Sequence, residues 1–317
     1  MLSRVADSLY WMSRYLERAE HTARVVDVHL NITLEDATGR PPVERWSRVL
    51  KGLHYHHAPP DASDYTLTYL LTFDQSNSQS VVSCIAAARE NARQIREQLS
   101  SEMWMQINRL YLDVQRTRMP DVWNGQPNQF YATIKDGCHL FQGITATTLI
   151  RNEGWHFITL GRYLERTTTM IDLLAVELGS QRELDTDSLS MEEYFEWMSF
   201  LKFFTAFEAY CKVYNADLRA DRILRFLLFN NEFPHSVRFC VEQVHIALEA
   251  IAQETGLHRN SRLHRLIGRL RSTLSYDEID DVLNDFRQYL DNINEQCSHI
   301  HNGIYDTYIY RPVDSTF

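Results

Sequence analysis

Arg14-Tyr15-Leu16-Glu17-Arg18 recurs letter for letter as Arg162-Tyr163-Leu164-Glu165-Arg166, 148 residues further along the chain. More matches follow in the same order. Trp46, Leu50 and Lys51 align with Trp197, Leu201 and Lys202 at an offset of 151. Ser80, Val81 and Cys84 align with Ser236, Val237 and Cys240 at 156, and His139, Gly143, Ile144 and Thr147 with His299, Gly303, Ile304 and Thr307 at 160. The offset only grows, as short loop insertions in a second copy would make it grow. A period this long points to a duplicated domain and not to a short-repeat solenoid. Residues 1–148 and 149–317 are therefore read as two helical repeats packed together as one globular unit. A pseudo-two-fold axis between them would let the shared motif meet itself.

The hydrophobic period around the motif is helical. Leu2, Val5, Leu9, Met12, Leu16, Ala19, Ala23, Val26 and Leu30 are spaced by threes and fours, the spacing of one helix face. Shifted by 148, the frame reads Ile150, Glu153, Phe157, Leu160, Leu164, Thr167, Ile171, Leu174 and Leu178, still mostly apolar. Further helices are predicted over 43–56, 63–73, 78–118 with a break near Ser100-Ser101, 128–150, 190–214, 216–229, 235–254, 260–273 and 276–305. Gly39-Arg40-Pro41-Pro42, Pro59-Pro60, Pro120 to Pro127, Gly179-Ser180 and Pro234 fall where helices should stop. Alternating strand patterns are scarce. The expected fold class is all-α, an internally duplicated helical bundle with pseudo-two-fold related halves, joined directly or through one long or kinked helix near 140–178.

Composition narrows the function. A chain of 317 residues buries a sizeable core. It has no apolar run of membrane-spanning length and no signal-peptide pattern at its start. Five scattered cysteines without a Cys-x-x-Cys pair fit reduced thiols in a cytoplasm, the expected location. The net charge of −10 disfavours nonspecific nucleic-acid binding. Residues 1–148 hold 15 basic and 16 acidic side chains and the remainder 17 and 26, so the acidity sits in the second copy. Only Lys51, Lys135, Lys202 and Lys212 are lysines; the other 28 basic residues are arginines. Arg suits fixed carboxylate or phosphate partners, although a GC-rich coding sequence yields the same bias.

Within each motif the two arginines lie four residues apart and the glutamate three from the first, so all three share one surface. Tyr10, Trp11, Val25 and Val28 flank the first set and Ile158 and Leu173 the second, so that surface is half apolar. Two readings are open. In one, Glu17 and Arg18 pair with Arg166 and Glu165 and fix how the copies dock, since buried ion pairs specify register. In the other, the sets line a cleft: Arg14, Arg18, Arg162 and Arg166 bind an anionic substrate group, and Glu17 and Glu165 orient them or act as catalytic base. Ala19-Glu20-His21 faces Thr167-Thr168-Thr169 in the second copy, a divergence that a site working on one side would explain.

These residues carry a resemblance. Tyr15-Leu16-Glu17-Arg18-Ala19-Glu20, Arg151-Asn152-Glu153-Gly154-Trp155-His156-Phe157 running into Gly161 to Arg166, and Phe226-Leu227-Leu228 through Phe233-Pro234-His235-Ser236-Val237-Arg238-Phe239-Cys240 resemble the Alpha-E family, bacterial helical proteins with a Glu-Arg motif. Thr167 stands where the first motif has Ala19, leaving the Glu-Arg pair intact. The resemblance implies a circularly permuted ATP-grasp protein as partner, with a transglutaminase-like peptidase, and also a proteasome-like peptidase, in the same company. It thereby implies an accessory or co-catalytic role in making an amide or peptide linkage. The chain itself has no Gly-x4-Gly-Lys-Ser/Thr and no Gly-x-Gly-x-x-Gly, so an ATP site is expected on the partner and no cofactor on this chain.

Other candidates compete with bland readings. Glu153/His156 and Glu242/His245 are Glu-x-x-His pairs of the kind that build helical di-metal sites, and a stand-alone metalloenzyme is the alternative function. Both pairs lie in the second copy without ligand counterparts, so the main expectation carries no metal. A non-catalytic scaffold is the remaining alternative. His54-Tyr55-His56-His57 could bind zinc but reads more simply as an aromatic loop. His139 and His299 are expected at helix contacts. Residues 258–271 place His258, Arg259, Arg262, Arg265, Arg269 and Arg271 opposite Leu263, Leu266, Ile267 and Leu270, an amphipathic helix with a cationic face that is solvated or meets an acidic partner.

Overall fold

A computed structural model describes residues 1–35, 42–55, 62–179, 191–256 and 262–310. Among them every regular element is helical. Up to residue 148 the order is α1 (Ser3–Glu35), α2 (Pro42–Gly52), α3 (Asp64–Thr72), α4 (Val81–Gln94), α5 (Ser101–Arg116), α6 (Met119–Trp123) and α7 (Pro127–Thr148). Then follow α8 (Glu153–Gly179), α9 (Met191–Phe203), α10 (Phe207–Tyr214), α11 (Ala220–Phe229), α12 (Val237–Thr255), α13 (Arg262–Tyr276), α14 (Ile279–Val282) and α15 (Phe286–Ile304), which closes in a π turn over Tyr305–Ile309. The protein is an all-α bundle.

Local chemistry sets the boundaries. Ser80 and Ser236 cap α4 and α12, each hydroxyl accepting from the backbone N–H three residues on, at 3.3 and 3.1 Å. The helices α2 and α9 end alike. His54 and Thr205, 151 apart, both take a left-handed conformation. Each is followed by a backbone bond reaching back five residues, Tyr55 N–H to Leu50 at 2.6 Å and Ala206 N–H to Leu201 at 2.8 Å. That closure satisfies the last carbonyls of a helix. It also splits the expected 190–214 helix into α9 and α10. A single helix across 140–178 is not what forms. Leu149 is extended (φ −93, ψ 133), and Asn152 Oδ1 accepts from Gly154 N–H at 3.1 Å, starting α8 afresh. The expected 276–305 helix is likewise interrupted, by a 3-10 turn over Leu283–Asp285.

The helices α1 and α8 pack on each other at the centre of the bundle. The predicted stripe is buried from Val5 to Leu30 on α1 and from Phe157 to Leu174 on α8, whereas Leu2 and Ile150 are exposed. Tyr10, Val25, Ile158 and Leu173, off the stripe, are buried too. A helix covered nearly all round is a core helix, which is why its charged motif cannot sit in water. Against α1 pack α4 and α7, bridged by α5; against α8 pack α12 and α15, bridged by α13. The short helices cross over: α2 lies on α8, and α9 on α1.

Close approach of the central pair depends on Gly161. A Cβ there would overlap the Tyr10 carbonyl and the Ser13 hydroxyl. Gly161→Val should therefore cost about 1–3 kcal/mol or more through overpacking. Gly268→Ala, on α13 with open space around it, should gain about 0.5–1 kcal/mol in helix stability. Urea unfolding followed by circular dichroism reads both. Equal effects at the two glycines would contradict the packing.

Candidate functional site

The two motifs meet where α1 and α8 touch. Arg14 Nε donates to Glu165 Oε2 at 2.6 Å and Arg18 Nε to Glu165 Oε1 at 2.6 Å. In the other direction Arg166 Nε donates to Glu17 Oε1 at 2.5 Å. Cross-pairing of the two motifs, one of the two expected arrangements, is present, and Glu17, Glu165, Arg14 and Arg166 are all buried. Burial pushes the Glu165 carboxyl up, but Arg14 and Arg18 outweigh it and hold it down at about 2. Glu165 is thus a carboxylate engaged on both oxygens.

The two sets differ in their neighbours. Arg14 Nη1 also reaches the Tyr10 hydroxyl and His301 Nδ1, both at 3.2 Å, and Tyr10 and His301 contact each other at 2.8 Å. The Arg14 guanidinium lies 4.9 Å from the Trp11 ring centroid, a cation–π distance. Trp11 Nε1 donates to the Tyr305 hydroxyl, which donates to Asp7 at 2.6 Å. Arg166 adds a bond to the Pro234 carbonyl at 2.8 Å, and Gln142 of α7 donates to the second oxygen of Glu17 at 3.3 Å. Arg162, the counterpart of Arg14, makes no ion pair among the described residues.

Next to Glu17 the divergent triplet has distinct roles. Glu20 is buried, pairs with Arg24 and lies 3.4 Å from His139 Nε2. Burial raises its carboxyl, but His139 and Arg24 hold it well below the usual carboxylate range. His21 stacks on Phe204, and burial holds its imidazole down at about 4. His235 is depressed by burial and Arg166. After the second motif the hydroxyls of Thr167, Thr168 and Thr169 bond back to carbonyls of α8.

Sequence reading missed Tyr10, His301, Gln142 and His235. Their main partners are distant in sequence, from 69 residues for His235 and Arg166 to 291 for His301 and Tyr10, apart from the Tyr10–Arg14 contact within α1, and no motif ties them together. The divergence at Glu20-His21 was the one signal available. His139 lies against Glu20 of α1, a helix contact as expected, whereas the ion pair of His299 is with Glu295 of its own helix, at 4.0 Å.

The remaining candidates are not gathered. Glu153 pairs with the Met1 amino group at 2.6 Å and Glu242 with Arg271 at 2.6 Å. Among the described residues no three His, Cys, Asp or Glu side chains stand together as metal ligands, so His156 and His245 join no such set. His54 Nε2 lies 2.8 Å from Asp172 Oδ2; His56 and His57 fall outside the described residues. On α13, Leu263, Ile267 and Leu270 are buried and Arg262, Arg265 and Arg269 exposed, as the amphipathic pattern requires; His258 and Arg259 fall outside the described residues. The five cysteines are free thiols. No described helix is long and apolar enough to cross a membrane.

The chain belongs to the Alpha-E family, described as a predicted alpha-helical domain with a conserved ER motif, which it matches over residues 1–309. An uncharacterised protein of Mycobacterium bovis is 22% identical over 305 residues, covering 89% of this chain and 34% of that protein. Two uncharacterised proteins of Mycobacterium tuberculosis are 22% and 21% identical over the same length. The chain thus spans about a third of the length of these relatives. No solved structure matches it.

Proposed function

We propose that this protein is an accessory or co-catalytic subunit of an amide- or peptide-bond-forming system and works with an ATP-grasp-type ligase. The observation that carries the reading is the buried double Glu-Arg centre, which holds four guanidiniums against two carboxylates. Arg14 and Arg166 balance the two buried glutamates, and the partly exposed Arg18 and Arg162 add positive charge that suits an anionic group such as a carboxylate awaiting activation. Glu165, committed on both oxygens, orients Arg14 and Arg18. Glu17, with one oxygen on neutral Gln142, is the carboxylate placed to exchange a proton. Activation by ATP falls to the partner, because the sequence has no glycine-rich phosphate loop. A transglutaminase-like peptidase fits as a second partner, a cytoplasm as the location.

The same reading takes the chain as two copies, 1–148 and 149–317, about a pseudo-two-fold axis. The matching closures after His54 and Thr205, the matching serine caps and the parallel packing around α1 and α8 support it.

The test is affinity capture of the full chain from its native cell, followed by reconstitution. The expected result is a co-purifying ATP-grasp protein whose conversion of ATP to ADP, with a carboxylate and an amine supplied, rises on adding this chain. Glu17→Gln should abolish that rise while the fold persists. Recovering no such ligase would overturn the proposal.

A further inference from the structure

Arg162 and Arg14 occupy the same position in the two motifs, yet their surroundings are opposite. Arg14 has a carboxylate at 2.6 Å, a phenol and an imidazole at 3.2 Å, and an aromatic face. At the positions that correspond to Tyr10 and His301, offsets 148 and 160, the chain carries Ile158 and Phe141. Both are apolar and buried. Glu17, the carboxylate across from Arg162, gives one oxygen to Arg166 and the other to Gln142. What remains near Arg162 is the hydroxyl of its neighbour Tyr163 and the attraction of Glu17, and burial outweighs both to weaken its hold on its proton. Arg162 is partly exposed, so it can be reached from solvent.

A largely dehydrated guanidinium without a counter-ion is costly. Arg18 shows that this centre does not discard surplus arginines but shares a carboxylate between two of them. At Arg162 there is no ion pair among the described residues, and what the protein leaves it is the Tyr163 hydroxyl and the attraction of Glu17. A planar fork of N–H donors left open in this way matches an oxyanion.

We propose that Arg162 is the anion-receiving residue of the Glu-Arg centre and takes a single oxyanion, the carboxylate or phosphate group of a ligand, while Arg14, Arg18 and Arg166 are structural. This deepens the proposed function and rests on it for the biological identity of that ligand, but not for the binding itself.

Thermal unfolding of the full chain in acetate, in phosphate and in chloride, at one pH and one ionic strength, tests it. The wild type should show a saturable rise in Tm with acetate or phosphate, about 2 °C at ten times the dissociation constant, and none with chloride. The better of the two oxyanions identifies the ligand group. Arg162→Gln should abolish the response and unfold no earlier than the wild type in chloride, because it removes an unpaired charge. Arg162→Lys should respond more weakly, having lost the fork. Arg166→Gln should instead unfold early. A flat wild-type titration, an equal response in Arg162→Gln, or a Tm loss in Arg162→Gln as large as in Arg166→Gln would each overturn the assignment. A failed ligase capture would remove the proposed partnership and leave the anion response standing; a flat titration would do the reverse.

Discussion

Replacing Glu165 by Gln is expected to cost about 3–5 kcal/mol of stability, roughly 5–8 °C in Tm. Gln keeps the shape of the side chain but supplies one acceptor oxygen where two are used. Arg14 and Arg18 would both lose their only carboxylate among the described residues. The penalty is dominated by the stranded charges and not by the loss of one good contact. Glu17→Gln strands only Arg166, which keeps the Pro234 carbonyl, so its cost should be clearly smaller. Adding Arg18→Gln to Glu165→Gln should recover part of the loss, because one of the two stranded cations is gone. Chemical denaturation of the four proteins, wild type included, measures this. A Glu165→Gln variant within about 1 kcal/mol of the wild type, or one less affected than Glu17→Gln, would contradict the geometry.

Acidification should weaken the fold from about pH 6.5 downward, well above the range of an ordinary carboxylate. His21 and His29 are buried and held down at about 4 by dehydration, against ordinary values of 6.5. Between those values the unfolded chain binds protons that the native chain refuses, so stability falls as pH falls. Each contributes roughly 3 kcal/mol over that window. Glu177 works the other way. Burial and Glu196 outweigh Arg48 and raise it to about 7, so the native state holds a proton there that the unfolded chain releases. Lowering the pH from 7 to 4.5 regains roughly 3 kcal/mol through this group. The two imidazoles prevail, with His301 and His235 adding in their direction. Below 4.5 the loss deepens as Glu165 is driven toward protonation. A Tm profile from pH 7.5 to 4 should decline through the histidine range, and His29→Leu should flatten it. A profile level down to pH 4.5 would leave only the carboxylates in play.

The helical class and the meeting of the two motifs were legible because both rest on period and identity, which are local properties of the letters. The cross-pairing was one of two readings that the sequence left open, and burial of a charged face on a helix apolar on its other sides accounts for it. The inequality of the two sets was legible only as the divergence at Glu20-His21. Both read Arg-Tyr-Leu-Glu-Arg, but what decides their chemistry comes from elsewhere: His301 against Phe141, and Gln142 on Glu17 alone. The junction of α7 and α8 was misread because Thr147, Thr148 and Leu149 continue an apolar-polar rhythm, while the restart depends on the Asn152 side chain. The Glu-x-x-His pairs failed as a cluster because spacing within a helix says nothing about which faces meet.

The exchange of α2 and α9 across the centre has an evolutionary corollary. On the proposed duplication, a lone ancestral copy could cover its long helix only by trading short arms with a twin, a domain-swapped dimer. On that proposal, fusing the genes would replace a concentration-dependent encounter with a tethered one. Assembly would no longer require identical subunits, so selection could alter one arginine's surroundings while its mate went on holding the pair together. Asymmetry of this kind is closed to a homodimer, in which every change is made twice.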